Sequence, residues 1–114
     1  MLAYQKLLEL GREGMFREGR LERIAFKLGE TFRLQGKYSN AVEVYRSVSS
    51  FPHADHALVS KATLSAGEMY DLLGQRDSAV KHYQEVVATQ GDSPEIGTAR
   101  QLLRHPYLIQ WSRE

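Results

Sequence analysis

His53-Ala54-Asp55-His56 is the cluster in this sequence that most resembles a metal site. Two imidazoles at i, i+3 share a helix face, and Asp55 adds an oxygen. A catalytic zinc site wants three protein ligands and a supporting shell of hydrogen bonds. The simpler reading is a solvated turn with Asp55 as the N-cap of the next helix, and no metal ligand is assigned. His82 and His105 stand alone and read as surface residues. No Gly-x-Ser-x-Gly elbow is present, and no Gly-x-x-x-x-Gly-Lys-Ser/Thr loop. Gly11, Gly14 and Gly19 follow no strand and are spaced as linker residues, so phosphate cradling is not expected. With no cysteine, the chain makes no disulfide, thiolate metal site or Cys nucleophile. Neither enzyme chemistry nor a cofactor is expected.

Binding chemistry fares better. Arg12–Lys37 holds seven basic and four acidic residues, but Glu13, Glu18, Glu22 and Glu30 are interleaved with the bases. Nucleic acid favours bases on one stripe with aromatics between them; mixed signs mark a solvated helix face. The whole chain carries a net charge of +1 over 114 residues, so no global field recruits nucleic acid. A hydrophobic fraction of 42% with 25% charged residues is that of an ordinary globular domain, which excludes disorder as the main state. Apolar runs of three or four residues span no membrane. The N-terminus shows no basic segment leading into an apolar one, so no signal peptide is visible and the compartment stays open.

The elements come from an internal repeat. Laying Leu28–Val48 over Ala66–Val86, an offset of 38, matches eight of 21 positions: Gly29/Gly67, Glu30/Glu68, Leu34/Leu72, Gly36/Gly74, Ala41/Ala79, Val42/Val80, Tyr45/Tyr83 and Val48/Val86. Unrelated segments share about one or two. Tyr4-x-x-Leu7-Leu8 fits the same register as a third, incomplete copy, as if the chain opened inside the second helix of a repeat; a longer array, or a first helix that packs in some other way, is then expected. Leu21, Ile24, Ala25, Leu28 and Phe32 lie on one helical face, and Leu58, Ala62, Ala66, Met69, Tyr70 and Leu73 repeat it. Gly36 and Gly74 suit helix C-caps. Ser39 or Asn40, Asp55 and Asp77 are N-cap candidates, and Ser93-Pro94-Glu95 starts a last helix that stops before Pro106. The spacing predicts helices over 2–10, 17–35, 38–49, 55–73, 76–90 and 94–104. The units are then a partial repeat at 1–10, repeats at 17–50 and 55–91, a capping helix at 94–104 and an apolar tail at 105–114.

Gly29 with Ala41, and Gly67 with Ala79, stand at equal separation, as expected where two helices cross closely. With Leu28-Gly29, Phe32, Ala41, Tyr45 and Pro52, then Ala66-Gly67, Tyr70, Ala79 and Tyr83, the chain resembles the tetratricopeptide repeat family. The family's usual period is about 34 residues; the extra length here falls at His53–His56. The long period and the Leu-Gly-Glu and Gly-x-Tyr-x-x-Ala-x-x-x-Tyr patterns are similar to those of bacterial cell-envelope members, such as the Tol–Pal accessory proteins and outer-membrane assembly lipoproteins. The resemblance implies an all-α, right-handed solenoid of helix hairpins closed by a capping helix, acting as a non-enzymatic scaffold for a protein or peptide partner. Chaperone-binding members clamp a partner's C-terminal carboxylate with Lys and Asn; the matching positions here lack Asn and carry acids, so that clamp is not expected.

On a helical wheel Arg23, Phe26, Glu30 and Arg33 fall within about 80° of one another, off the core face. Lys61, Leu64, Glu68 and Asp71 repeat the stripe. The two stripes are expected to adjoin on the concave side as a partner-binding groove, with Phe26 and Leu64 as an exposed apolar floor and the charges as a rim. The competing reading places Phe26 and Leu64 under neighbouring repeats or under the tail. Tyr107-Leu108-Ile109-Gln110-Trp111 is too apolar for a free end; it is expected to fold back over the last hairpin or to dock on another molecule as a homo-oligomer contact.

Overall fold

The structure, a computed structural model, describes residues 20–51, 55–89 and 93–108. Among the described residues it contains five α-helices and no strand: α1 (Arg20–Leu34), α2 (Tyr38–Ser47), α3 (His56–Leu72), α4 (Arg76–Ala88) and α5 (Pro94–Arg104). Consecutive helices pack together, and α3 also touches α1 on one side and α5 on the other. This is the all-α helical repeat expected from the sequence. The expected helix at 2–10 and the first half of the His53–His56 turn lie outside the described residues.

Two turns of the same design fold the hairpins. Gly36 (φ +76°) and Gly74 (φ +78°) take the left-handed conformation that a Cβ disfavours. Lys37 N–H then donates to Phe32 C=O (2.9 Å) and Gly36 N–H to Arg33 C=O (3.1 Å). Gln75 donates to Tyr70 (2.8 Å) and Gly74 to Asp71 (3.0 Å) in the same way. Each pair is a Schellman closure, which satisfies carbonyls the helix end leaves open. The turn is so tight that Lys37 and Gln75 occupy the N-cap positions of α2 and α4. Ser39, Asn40 and Asp77 therefore sit in the first helical turn and not at the cap. Asp55 and Ser93 do precede α3 and α5 with extended backbones, though neither side chain makes a capping hydrogen bond. α2 runs on through a short 3-10 segment, Val48–Ser50, into buried Phe51.

The core has two parts. Leu21, Ala25 and Phe32 of α1 meet Ala41, Val42, Val44 and Tyr45 of α2 and Ala62, Ala66 and Met69 of α3. Leu64 of α3 turns the other way, into a cluster with Ala79, Tyr83, Val86, Ile96 and Ala99. Ile24, expected on the core face, is exposed. The reason is that α1 has two neighbours: contact with α3 as well as α2 swings its buried sector toward Glu22 and Phe26. Ile24 is left about 110° from the centre of that sector on a 3.6-residue wheel.

Candidate functional site

The face shared by α1 and α3 is built by glycine and tyrosine. A Cβ on Gly29 would stand 2.7 Å from the Tyr45 ring, and one on Gly67 2.6 Å from the Tyr83 ring. The close approach anticipated between Gly29 and Ala41, and between Gly67 and Ala79, is thus an approach of helix backbone to an aromatic ring sixteen residues on. The alanines are buried, but the rings need the glycine gap. Through it each tyrosine reaches the far side of its partner helix. The Tyr45 hydroxyl donates to Glu30 Oε2 (2.9 Å) and the Tyr83 hydroxyl to Asp71 Oδ2 (2.6 Å).

Those hydroxyls end at a line of charges. Arg33 Nη2 lies 3.1 Å from Glu68 Oε1, joining the two repeats. Arg76 forks onto Asp71, 2.9 Å and 3.1 Å to the two carboxylate oxygens, while its other nitrogen donates to the carbonyls of Leu102 (2.8 Å) and Leu103 (3.1 Å). Equivalent positions have parted roles: Tyr45 pairs with Glu30, but Tyr83 passes over Glu68, which Arg33 has taken, and pairs with Asp71. Burial works against the charge of Arg33, yet Glu68 and the Tyr107 hydroxyl outweigh it and hold the guanidinium above its ordinary range. Burial pushes the Glu68 carboxyl up from the usual carboxylate range, and Arg33 pulls it back without cancelling the rise. Burial, then the neighbouring carboxylates, raise the phenols of Tyr45 and Tyr83.

The chain's own C-terminal segment lies across this line. By holding the last carbonyls of α5, Arg76 fixes where that helix ends; His105 is extended (φ −135°, ψ 128°) ahead of Pro106, as a residue before proline favours. Tyr107 then reaches α1 and α3. Its N–H donates to Asp71 Oδ2 (3.0 Å), and its hydroxyl accepts from Arg33 Nη2 (2.6 Å). The ring lies beneath the Arg33 guanidinium at 5.4 Å.

The eight residues of the anticipated groove are therefore distributed unevenly. Glu30, Arg33, Glu68 and Asp71 converge with Tyr45, Tyr83, Arg76 and Tyr107. Arg23 and Lys61 are exposed. Phe26 is half-buried, its ring tilted against Tyr45 at 5.6 Å between centroids. Leu64 is buried under Ile96 and Ala99 of α5. The exposed apolar floor is corrected: α5 stands beside α3 as α3 stands beside α1, so the stripe's apolar positions are packing positions. Of the tail, Tyr107 folds back as one of the two expectations had it, onto Asp71 of the last hairpin, and reaches beyond it to Arg33 on α1; residues 109–114, Trp111 included, lie outside the described ones. Tyr45 and Tyr83 read in sequence as core residues, and nothing in the spacing marks Arg76 as an anchor. Their shared signal is glycine followed sixteen residues later by tyrosine in both copies. Among the described residues no three His, Cys, Asp or Glu side chains converge as metal ligands, and no helix is long and apolar enough to cross a membrane.

The model of a family described as Tetratricopeptide repeat matches the chain twice, at residues 25–54 and 62–93. No curated protein and no solved structure matches it.

Proposed function

Because this chain belongs to the tetratricopeptide repeat family, whose repeats generally mediate protein–protein interaction, we propose that it is a non-enzymatic scaffold that binds a segment of a partner protein on the α1–α3 face. The observation that carries this reading is Tyr107. An extended piece of chain, outside the hairpins, rests there with its phenol on a side-chain donor, Arg33, and its main-chain N–H on a buried carboxylate, Asp71. Exposed Arg23 and Lys61 extend the face beyond Tyr107 and give it a basic edge, which steers acidic flanks of a bound segment. Phe26, on the same stripe of α1 as Arg23, supplies a half-buried aromatic surface.

Peptides selected from a random display library against the full chain test this. Arg23→Glu with Lys61→Glu is expected to weaken the selected peptides about tenfold or more, through lost steering and introduced repulsion. Lys81→Glu on α4 and Arg100→Glu on α5, equally exposed, serve as controls and are expected to change little. Peptides insensitive to the first pair but lost with the second would place binding elsewhere.

A further inference from the structure

Tyr107 is held at three points that report on different parts of a ligand. Asp71 reads a backbone N–H, Arg33 Nη2 reads a phenolic oxygen, and the Arg33 plane covers the ring. Backbone and side chain are thus fixed together, which sets the register of an extended strand of peptide. The acceptor is deep: the Asp71 side chain is 1% exposed, with Tyr83 and Arg76 already bonded to it. Pro106, which has no N–H, comes just before the residue whose N–H is used. Tyr107 packs at the margin of the first core cluster, but the end of the stack is closed without it, by Ile96 and Ala99 over Leu64. Its segment also leaves space: a cleft of ≈ 400 Å³ lies along it, walled by Glu68, Leu102, Tyr107 and Leu108, with Leu108 44% exposed at its edge.

Resting on the reading of α1–α3 as the binding face, we infer that Arg33 and Asp71 recognise an extended, tyrosine-bearing segment of a partner protein, and that residues 106–108 are an internal copy of that ligand which the partner displaces. The chemistry selects the tyrosine in its unmodified form. Glu68 already neutralises Arg33 at 3.1 Å and Asp71 is close by, so a phosphate on the ring meets two carboxylates in place of a free cation. Phenylalanine keeps the ring contact but leaves the Arg33 donor without its oxygen. The internal copy acts as a threshold. A short tether holds it at an effective concentration on the order of 1 mM. Against an intrinsic dissociation constant on the order of 100 μM, that suppresses an external segment about tenfold.

The probe is a fluorescent peptide with the sequence of residues 104–110, Arg-His-Pro-Tyr-Leu-Ile-Gln, titrated by anisotropy into the full chain and into full-length Tyr107→Ala. The variant is expected to bind about tenfold more tightly than the parent chain. The same peptide with phenylalanine, or with phosphotyrosine, is expected to bind the variant at least fivefold more weakly than the tyrosine peptide. If Tyr107→Ala unfolds, Tyr107→Phe, which keeps the ring under Arg33, is expected to give a smaller gain in the same direction. Equal affinity of parent and variant overturns the internal ligand. Equal or tighter binding of the phenylalanine or phosphotyrosine peptide overturns tyrosine recognition, as does failure of the variant to bind the probe. A concentration-dependent dimer that disappears in Tyr107→Ala would show the segment serving a second copy, and would also overturn the internal ligand. None of these results alters the effect of Arg23→Glu with Lys61→Glu on library-selected peptides, so the wider reading stands or falls separately.

Discussion

Tyr45 and Tyr83 are 1% and 0% exposed, and each donates its one hydroxyl hydrogen bond to a carboxylate. A buried phenol donating to Glu30 or Asp71 resists ionisation, so both pKa values lie above that of the unfolded chain, about 10. The unfolded chain releases these protons first as pH rises. Stability from the pair is therefore complete below about pH 10 and is lost as pH climbs through the window above it. Thermal melts from pH 8 to 11.5 are expected to show a flat Tm and then a steep fall beginning near pH 10, with part of the 295 nm phenolate absorbance appearing only on unfolding. Tyr83→Phe is expected to cost about 0.5–1.5 kcal/mol at pH 7 and to make the alkaline fall shallower. A Tm unchanged to pH 11 would contradict the assignment.

At the scale of the elements, the hairpins depend on where a side chain is absent. Gly67→Ala places a carbon 2.6 Å from the Tyr83 ring, which is itself pinned by Asp71. The ring has little freedom to retreat, and a loss of about 1–3 kcal/mol is expected, with Gly67→Leu worse. Gly97, the fourth residue of α5 and itself exposed, has nothing within 4 Å of the position a Cβ would take. Gly97→Ala is expected to gain about 0.5–1 kcal/mol in helix propensity. Paired denaturant melts check both, and equal midpoints for Gly67→Ala and the parent would remove the ring–backbone contact from the explanation. Arg76 acts between elements, tying the end of α5 to Asp71 on α3. Being a third exposed, it is worth only about 1–2 kcal/mol. Arg76→Gln is nonetheless expected to speed amide exchange in the last turn of α5 and at Tyr107 while leaving α1 and α2 protected. Uniform exchange across all five helices would deny that anchoring role.

Across the whole molecule, the repeat was plain in the sequence because its determinants are local. Glycine at a left-handed C-cap, proline at a helix start and a 3.6-residue apolar period each act within a few residues of themselves, and Gly36, Gly74, Ser93-Pro94 and the core face of α3 follow from them. What depends on stacking was not visible. A wheel drawn for one helix cannot know that α1 is flanked by both α2 and α3, or that α5 stands beside α3, which is why Ile24 and Leu64 exchange the exposures expected of them. The ion pair between Arg33 and Glu68 spans 35 positions and two repeats, and the residue that meets the polar line on α1 and α3, Tyr107, comes from beyond the last helix.

The most direct measurement is an NMR titration of the ¹⁵N-labelled full chain with a library-selected peptide, observing the Tyr107 amide and the Arg33 guanidinium. If the α1–α3 face is the binding face and Tyr107 its resident occupant, the Tyr107 amide loses its exchange protection as the peptide saturates. The Arg33 signal moves to a new bound position over the same range. A peptide that saturates the chain while the Tyr107 and Arg33 signals stay where they began would contradict this.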